Sequence, residues 1–305
     1  ADRPRPGVAS RPGWCESYRP CFFPETTIPM PRYLLKLTSA IVLITVLAAC
    51  ATSPTGRKQL MLVSEDMAIS SSAQAYAQQV GKLRKEGDLS NDRALVARVE
   101  GITEKLVAQA IIMRPDSADW QWSVAVIDDP KTVNAWCMAG GRMAIYTGLI
   151  DQIKPTDDEI AQVMGHEIGH ALANHTAEKM SVSMASSVGV LAIGIASDNT
   201  GAAMAAAATA AALAVTLPNS RTAETEADRI GIELAAKAGY DPAAAATLWQ
   251  KMGALPGGQP PQFLSTHPSP ENRQAELTEL AVQMEPYYRE GGRRPTHAVQ
   301  TVSAL

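Results

Sequence analysis

The stretch HEIGH, residues 166–170, decides how the rest of this 305-residue sequence is interpreted. In a helix, side chains four positions apart lie on one face, so His166 and His170 can meet one metal ion. Glu167 is offset by about 100° of helix rotation, close enough to reach a water at the metal without being a ligand. The stretch therefore predicts a zinc site with two histidine ligands and Glu167 as general base, rather than a chance match on a polar helix face.

The residues around this stretch predict the helix that it needs. Thr156 followed by Glu159 is a capping-box start, and the helix should continue through the motif toward Lys179. His175 lies five residues after His170 and points off the metal-binding face. We expect His175 at the surface or next to a ligand, but not as a ligand itself.

A catalytic zinc ion generally has three protein ligands, so a third must come from elsewhere in the chain. The stretch SRTAETEAD, residues 220–228, lies on another predicted helix and places Glu224 and Asp228 on one face. Glu224 could bind the metal while Asp228 orients a histidine from behind. A solvated acidic helix start is the alternative, because the helix dipole favours carboxylates there. Two histidines and a carboxylate favour zinc, with one ion per chain.

The pattern of apolar residues predicts a mainly helical α+β fold around this site. Helical spacing is found in 64–83, 91–113, 222–238 and after Asp241-Pro242, while 120–127 and 141–146 alternate as short strands. Residues 184–217 are dominated by alanine and glycine and predict two weak apolar helices. We expect these two helices to be buried or to cover other parts of the fold, with a membrane hairpin as the alternative.

The N-terminal segment has the features of an export signal. Residues 1–29 are rich in Pro and Arg and are interpreted as disordered or as an upstream extension. Residues 30–50 combine a basic start, an apolar run and small residues before Cys50, which predicts a secretory signal. The end of the run resembles a bacterial lipobox, and this resemblance implies a lipoprotein signal peptide with Cys50 as the acylated residue. An ordinary signal peptide or an N-terminal anchor is the alternative. The remaining chain is divided into a tether (51–63), a folded domain (64–285) and a loose C-terminal tail (286–305).

Composition limits the classes of function. The net charge is -4 and the basic residues are scattered, so nothing predicts nucleic-acid binding. Of the four cysteines, Cys137 alone lies within the predicted fold, and no histidine motif accompanies it. We expect Cys137 to be a small buried side chain and not a nucleophile.

Taken together, the motifs resemble those of the M48 family of gluzincin peptidases, especially its envelope branch related to mitochondrial Oma1 and to bacterial periplasmic lipoproteins and chaperone-proteases. HEIGH at 166–170, SRTAETEAD at 220–228, VNAWCMAGGRMAIYTGLI at 133–150 and THP at 266–268 occur in that family's order. The resemblance covers roughly Thr55 to Glu285. It implies a gluzincin-type zincin fold, with Glu224 as the third zinc ligand and Asp228 as its acidic partner. It also makes residues 141–146 an edge strand beside the cleft, to which an extended peptide can add.

The function that this resemblance implies is that of a zinc-dependent metalloendopeptidase, in which water activated by zinc and Glu167 attacks the peptide carbonyl. Edge-strand binding depends little on sequence, which suits unfolded or misassembled envelope proteins as substrates in protein quality control. By resemblance to bacterial lipoproteins, Ala51 after Cys50 implies an outer-membrane lipoprotein facing the periplasm, with the outer-membrane assembly machinery as a candidate partner. The alternative is a chaperone-like or gated binding protein on the same scaffold.

Two further residues keep open roles at this point. His267 is a loop histidine without a role, a donor to the oxyanion beside zinc, or a fourth ligand that displaces water and holds the enzyme inactive. Arg221 is a donor to the substrate carbonyl or a helix-packing partner.

Overall fold

The computed structural model describes residues 50–196, 200–211, 217–255, 261–267, 272–292 and 294–303, which all belong to one unit spanning Val46–Leu305. The predicted extension, 1–29, and the signal segment before Cys50 lie outside the described residues. Both therefore stay predictions.

Helices dominate the described chain, which confirms the mainly helical α+β class. The elements are β1 (Cys50–Thr52), β2 (Lys58–Leu60), α1 (Glu65–Glu86), α2 (Arg93–Met113), β3 (Ser123–Ile127), β4 (Ala135–Met138), β5 (Arg142–Tyr146), α3 (Thr147–Ile153), α4 (Asp157–Leu172), α5 (His175–Ala196), α6 (Thr200–Ala211), α7 (Leu217–Lys237), α8 (Ala244–Gly253), α9 (Gln262–Thr266), α10 (Arg273–Arg289) and β6 (Gln300–Val302). Local side chains fix where the first long helices begin, because Ser64 and Asp92 accept hydrogen bonds from the N-terminal amides of α1 and α2.

Four strands form the main sheet in the order β4-β5-β3-β6. β5 pairs antiparallel with β4 and parallel with β3, so it lies inside the sheet. The prediction that residues 141–146 form the edge strand is therefore wrong, because β4 covers that side of β5. Gly140 and Gly141, with φ of 83° and 79°, form the left-handed turn that folds β5 back onto β4. On this side of the sheet the edge strand is β4, and on the other side it is β6.

Both ends of the folded domain are more ordered than the sequence predicts. The expected tether contains an antiparallel hairpin in which β1 pairs with β2 and Cys50 lies opposite Leu60. In the expected loose tail, α10 continues through Pro286 to Arg289, and β6 pairs in parallel with β3. Val299 and Val302 are buried, so apolar contact with the sheet orders this segment.

Helix α4 packs its apolar side chains against the sheet and its backbone against α7. The residues that share this core are Ile160, Met164, Ile168, Val124, Val126, Met143 and Ile145. On the other side, a Cβ added at Gly165 would lie 2.7 Å from the carbonyl oxygen of Gly231, and one added at Gly231 would lie 2.5 Å from the backbone nitrogen of His166. The two glycines let α4 and α7 touch directly, which brings the motifs at 166–170 and 220–228 together.

The alanine-rich region forms α5 and α6, as predicted, and the two helices pack against each other. The outer part of α5 exposes Met184, Val188 and Leu191, so of the two expected arrangements, buried or covering, it does not adopt the buried one. Among the described residues, no helix combines the length and the apolar character that crossing a membrane requires.

The capping box of α4 gives a first testable prediction. Thr156 Oγ1 accepts a hydrogen bond from the amide of Glu159, and the Glu159 carboxylate accepts one from the amide of Thr156. We expect Thr156→Ala to lower the free energy of unfolding in urea by about 1 kcal/mol, because the amide of Glu159 loses its partner. The control, Thr278→Ala on the exposed surface of α10, should change stability by less than about 0.5 kcal/mol. Equal stability of both variants would contradict the cap.

Candidate active site

The motif helix ends earlier than predicted, and this break decides where His175 lies. α4 stops at Leu172, Asn174 adopts a left-handed conformation with φ of 56°, and α5 begins at His175. The prediction of one helix continuing to Lys179 is therefore wrong. The turn directs His175 back toward the motif, where its Nδ1 lies 2.8 Å from Nδ1 of His170. His175 is buried, so it does not lie at the surface but next to His170, which is predicted to be a ligand.

Four side chains from α4, α7 and the end of α9 converge on one point. Ligand atoms of His166, His170, Glu224 and His267 all lie within 4.8 Å of one another. Nε2 of His166 is 3.1 Å from Nε2 of His170 and 3.3 Å from Oε2 of Glu224, and Nε2 of His170 is 3.4 Å from Oε1 of Glu224. The structure thus brings together the two motif histidines and the glutamate predicted to be the third ligand.

These distances fit a zinc ion. Zinc–nitrogen bonds of 2.0–2.1 Å in a tetrahedral site put neighbouring ligand atoms about 3.3 Å apart. The two histidine Nε2 atoms are 3.1 Å apart, and Glu224 approaches His166 with Oε2 at 3.3 Å and His170 with Oε1 at 3.4 Å. Two imidazole nitrogens this close cannot both carry a proton, so at least one lone pair points into the cluster. The donor set and its size therefore suit zinc.

The charges of the cluster suit a cation as well. Burial alone would raise the pKa of Glu224, but contacts with His166, His170 and His267 hold that pKa well below its usual range. Burial lowers the pKa of His170 well below that of a free imidazole, which keeps its ring neutral. For His166, burial is outweighed by Asp228 and Glu224, which raise its pKa to about 9. Metal binding competes with a second proton on this ring, because only an Nε2 without a proton can be a ligand.

Glu167 is adjacent to this cluster but does not belong to it. Its Oε2 accepts a hydrogen bond from the amide of Cys137 on β4 at 3.2 Å. Its Oε1 is buried without a hydrogen bond, 3.2 Å from Nε2 of His267. Burial raises the pKa of Glu167, which suits a group that takes up and returns a proton. Burial also raises the pKa of Cys137 well above its ordinary value, in agreement with its expected lack of a nucleophilic role.

Asp228 lies behind His166, as the sequence suggested. Its Oδ1 is 2.9 Å from Nδ1 of His166 and accepts a hydrogen bond of 2.6 Å from Nη2 of Arg273. A carboxylate only accepts, so this contact places the proton of His166 on Nδ1 and leaves Nε2 free for a metal. Arg273 is fully buried and stacks 3.7 Å from the ring centre of Trp249. Arg273 is not predicted from the sequence, because no motif or spacing links it to the histidines.

The two residues with open roles occupy different places. His267 is buried in the cluster, with its Nδ1 3.2 Å from Nε2 of His166 and 3.1 Å from Oε2 of Glu224. Arg221 is exposed and lines a separate cavity of about 600 Å³ together with Thr55 and Thr225. The structure therefore brings His267 to the site and does not bring Arg221 there.

A cleft of about 600 Å³ leads to Glu167 and His170 and is bordered by the edge strand β4. Where β4 pairs with β5, the amide of Tyr146 donates to the carbonyl of Asn134. The amide of Cys137 points away from β5 and donates to Glu167. Backbone groups alternate in direction along such a strand, so those of Ala135 also face the cleft. Asn134 adds a buried side-chain oxygen without a hydrogen-bond partner. The cleft therefore offers hydrogen-bonding groups suited to an extended peptide.

Comparison with known proteins points to the same class of site. A family model described as Peptidase family M48 matches residues 94–281. The chain is 39% identical over 166 residues to the mitochondrial metalloendopeptidase OMA1 of Arabidopsis thaliana, which covers 54% of this chain and 32% of the relative. It is 32% identical over 243 residues to the OMA1 metalloendopeptidase of Bos taurus, covering 75% and 45%. It is 30% identical over 224 residues to the beta-barrel assembly-enhancing protease of Escherichia coli K12, covering 68% and 43%.

The chain thus aligns with less than half the length of each of these three relatives. The matched region contains the motif helix α4, the helix α7 with Glu224, and the edge strand β4. The resemblance to this family, drawn from the motifs, is confirmed. The chain belongs to peptidase family M48.

Proposed function

We propose that this protein is a zinc-dependent metalloendopeptidase with His166, His170 and Glu224 as zinc ligands and Glu167 as general base. The observation that carries the proposal is the convergence of those three ligands beside a buried carboxylate at the end of a peptide-sized cleft. A zinc ion held there would polarise the scissile carbonyl and lower the pKa of water. This donor chemistry and the family of the chain support the same reaction.

The chain's own residues account for the proton transfers. The free Oε1 of Glu167 accepts the proton of the attacking water, while the amide of Cys137 holds Oε2 in place. The raised pKa of Glu167 favours uptake of that proton, and the leaving amine, which is a stronger base than a carboxylate, then receives it. Attack by water needs no covalent intermediate, which agrees with the unreactive Cys137.

The substrate would bind as an additional strand along β4. Ala135 offers its amide and carbonyl to the main chain of an extended peptide, and Asn134 offers its unpartnered side-chain oxygen. Main-chain recognition depends little on sequence but requires an unfolded segment. We therefore propose unfolded or misassembled proteins as substrates, in protein quality control.

The proposed location is the bacterial envelope, with Cys50 lipidated and the domain facing the periplasm at the outer membrane. Support comes from the signal-like sequence before Cys50 and from the relationship to a beta-barrel assembly-enhancing protease. Outer-membrane assembly machinery is the partner that this relationship suggests. The OMA1 relatives are mitochondrial, so the location depends on the export signal.

The decisive experiment measures zinc content and casein hydrolysis of the purified chain before and after chelation. We expect about one zinc ion per chain, loss of hydrolysis on chelation and recovery when zinc is returned. Zinc binding without any hydrolysis would favour a gated binding protein on the same scaffold.

A specific contact favours gating as a second candidate function. His267 occupies the remaining side of the ligand cluster, 3.1–3.2 Å from atoms of Glu224 and His166, where water would otherwise bind. We expect His267→Ala to increase the rate of casein hydrolysis roughly several-fold while zinc content stays the same, because three ligands remain. Ser265→Ala, in helix α9 just before His267 and also lining the cleft, should leave the rate unchanged. A slower His267→Ala enzyme would instead assign His267 to oxyanion stabilisation.

A further inference from the structure

The hairpin β1–β2 places polar side chains around Glu226, two residues after the proposed ligand Glu224 on α7. Hydroxyls of Ser53 and Thr55 both donate to Oε1 of Glu226, and Nε of Arg57 donates to Oε2 at 2.6 Å. The other two nitrogens of Arg57 form a fork on Glu178 of α5, at 2.7 and 2.6 Å. Arg57 therefore joins α5 and α7 behind the cluster of proposed metal-binding side chains. This hairpin precedes the residues 94–281 that the family model matches.

A continuous series of contacts leads from Arg57 to a zinc ligand. Oε2 of Glu226 is 3.1 Å from Nε2 of His175, and a carboxylate held by a guanidinium can only accept, so His175 carries its proton on Nε2. A neutral imidazole then has its lone pair on Nδ1, which lies 2.8 Å from Nδ1 of His170. That short contact requires a proton on Nδ1 of His170, which leaves Nε2 of the same ring with a lone pair for the metal.

We propose that Arg57 is a positioning residue of the zinc site, which fixes the tautomer and orientation of His170 through Glu226 and His175. The hairpin would then be part of the metal centre and not a spacer before it. The inference rests on the proposed function, in which His170 is a ligand. A shorter series exists on the other side of the cluster, where Arg273 binds Asp228 and Asp228 contacts the ring of His166 directly.

The test compares zinc affinity of the full chain with that of Arg57→Gln, by competition with a chromophoric chelator. Loss of an outer partner of a metal-binding histidine typically weakens metal binding by about 10–100-fold, and we expect Arg57→Gln to fall in that range. Arg57→Lys keeps the charge beside Glu226 without the fork and should recover part of the affinity. The matched control is Arg98→Gln, which breaks an arginine pair with Asp157 at the opposite end of α4 and should bind zinc as the wild type does.

A second measurement keeps the inference testable if Arg57→Gln does not fold. Nitrogen-15 NMR of the imidazoles in the zinc-loaded wild type should show His175 protonated at Nε2 and His170 protonated at Nδ1. A proton on Nδ1 of His175 would overturn the inference, as would wild-type zinc affinity in Arg57→Gln. If wild type and Arg57→Gln bind zinc and cut casein equally well, the inference about Arg57 fails but the proposed function stands. A wild-type chain that binds no zinc would overturn both.

Discussion

Glu167→Gln is expected to lower casein hydrolysis by roughly 10²–10⁴-fold, the usual contribution of a general acid–base group, while zinc content stays at the wild-type level. The carboxamide keeps the size of the side chain and can still accept the hydrogen bond from Cys137, but it cannot take up a proton. Zinc should remain, because the ligand set is formed by other residues. The measurement is kcat/KM on casein together with metal analysis of the same sample.

Glu159→Gln is the matched control for this variant. It makes the same isosteric change at another buried glutamate of α4, which is bound to Lys251 and Thr247 rather than facing the cleft. This control should lose stability but keep most of the activity. Equal activity of Glu167→Gln and wild type would exclude Glu167 as the general base, and loss of zinc in Glu167→Gln would assign it to the ligand set instead.

Gly231→Ala is expected to have the largest effect on stability, a loss of about 3 kcal/mol and roughly 6–12 °C in Tm. The added methyl group would lie 2.5 Å from the backbone nitrogen and 2.7 Å from the Cα of His166, and neither atom can move without shifting α4. Because α4 carries the two histidines proposed as ligands and α7 carries Glu224, separating the helices should also weaken zinc binding. Thermal unfolding with and without zinc measures both effects.

Gly101→Ala provides the contrasting control in α2. An added Cβ there meets nothing within 4 Å, so the change should stabilise the protein by about 0.5–1 kcal/mol through the better helix propensity of alanine. If Gly231→Ala gave the same small gain, the close contact of α4 with α7 would be disproved.

Local patterns predicted much of the fold, because they report on single elements. The cap at Thr156, the periodicity of α2 and the turn before β5 all act within a few residues, and the structure contains each of them. The strand β4 was not predicted, since its sequence AWCM shows no clear alternation of polar and apolar residues. Because β4 pairs with β5, the edge strand on that side of the sheet is β4 and not β5. The order of the two chain ends depends on contacts with distant elements, which periodicity does not report.

The candidate site divides in the same way. The spacing within HEIGH and within residues 220–228 predicted which side chains share a helix face, and the structure brings His166, His170 and Glu224 together. The position of His175 depends on the helix break at Asn174, and that of Arg57 depends on the β1–β2 hairpin. Neither feature has a recognisable sequence motif. Arg273 is likewise recognisable only by its contact with Asp228, 45 residues earlier in the chain.

Cys50 is the first residue of β1, and its pairing with Leu60 bears on how far the enzyme could reach. If Cys50 carries a lipid, as proposed, no flexible linker lies between that lipid and the ordered domain. The cleft would then keep a fixed height above the bilayer, and the enzyme could search only sideways as its lipid diffuses. Such an enzyme would sample polypeptide segments that emerge close to the membrane surface, while proteins free in the surrounding compartment would meet it only by diffusing to that layer.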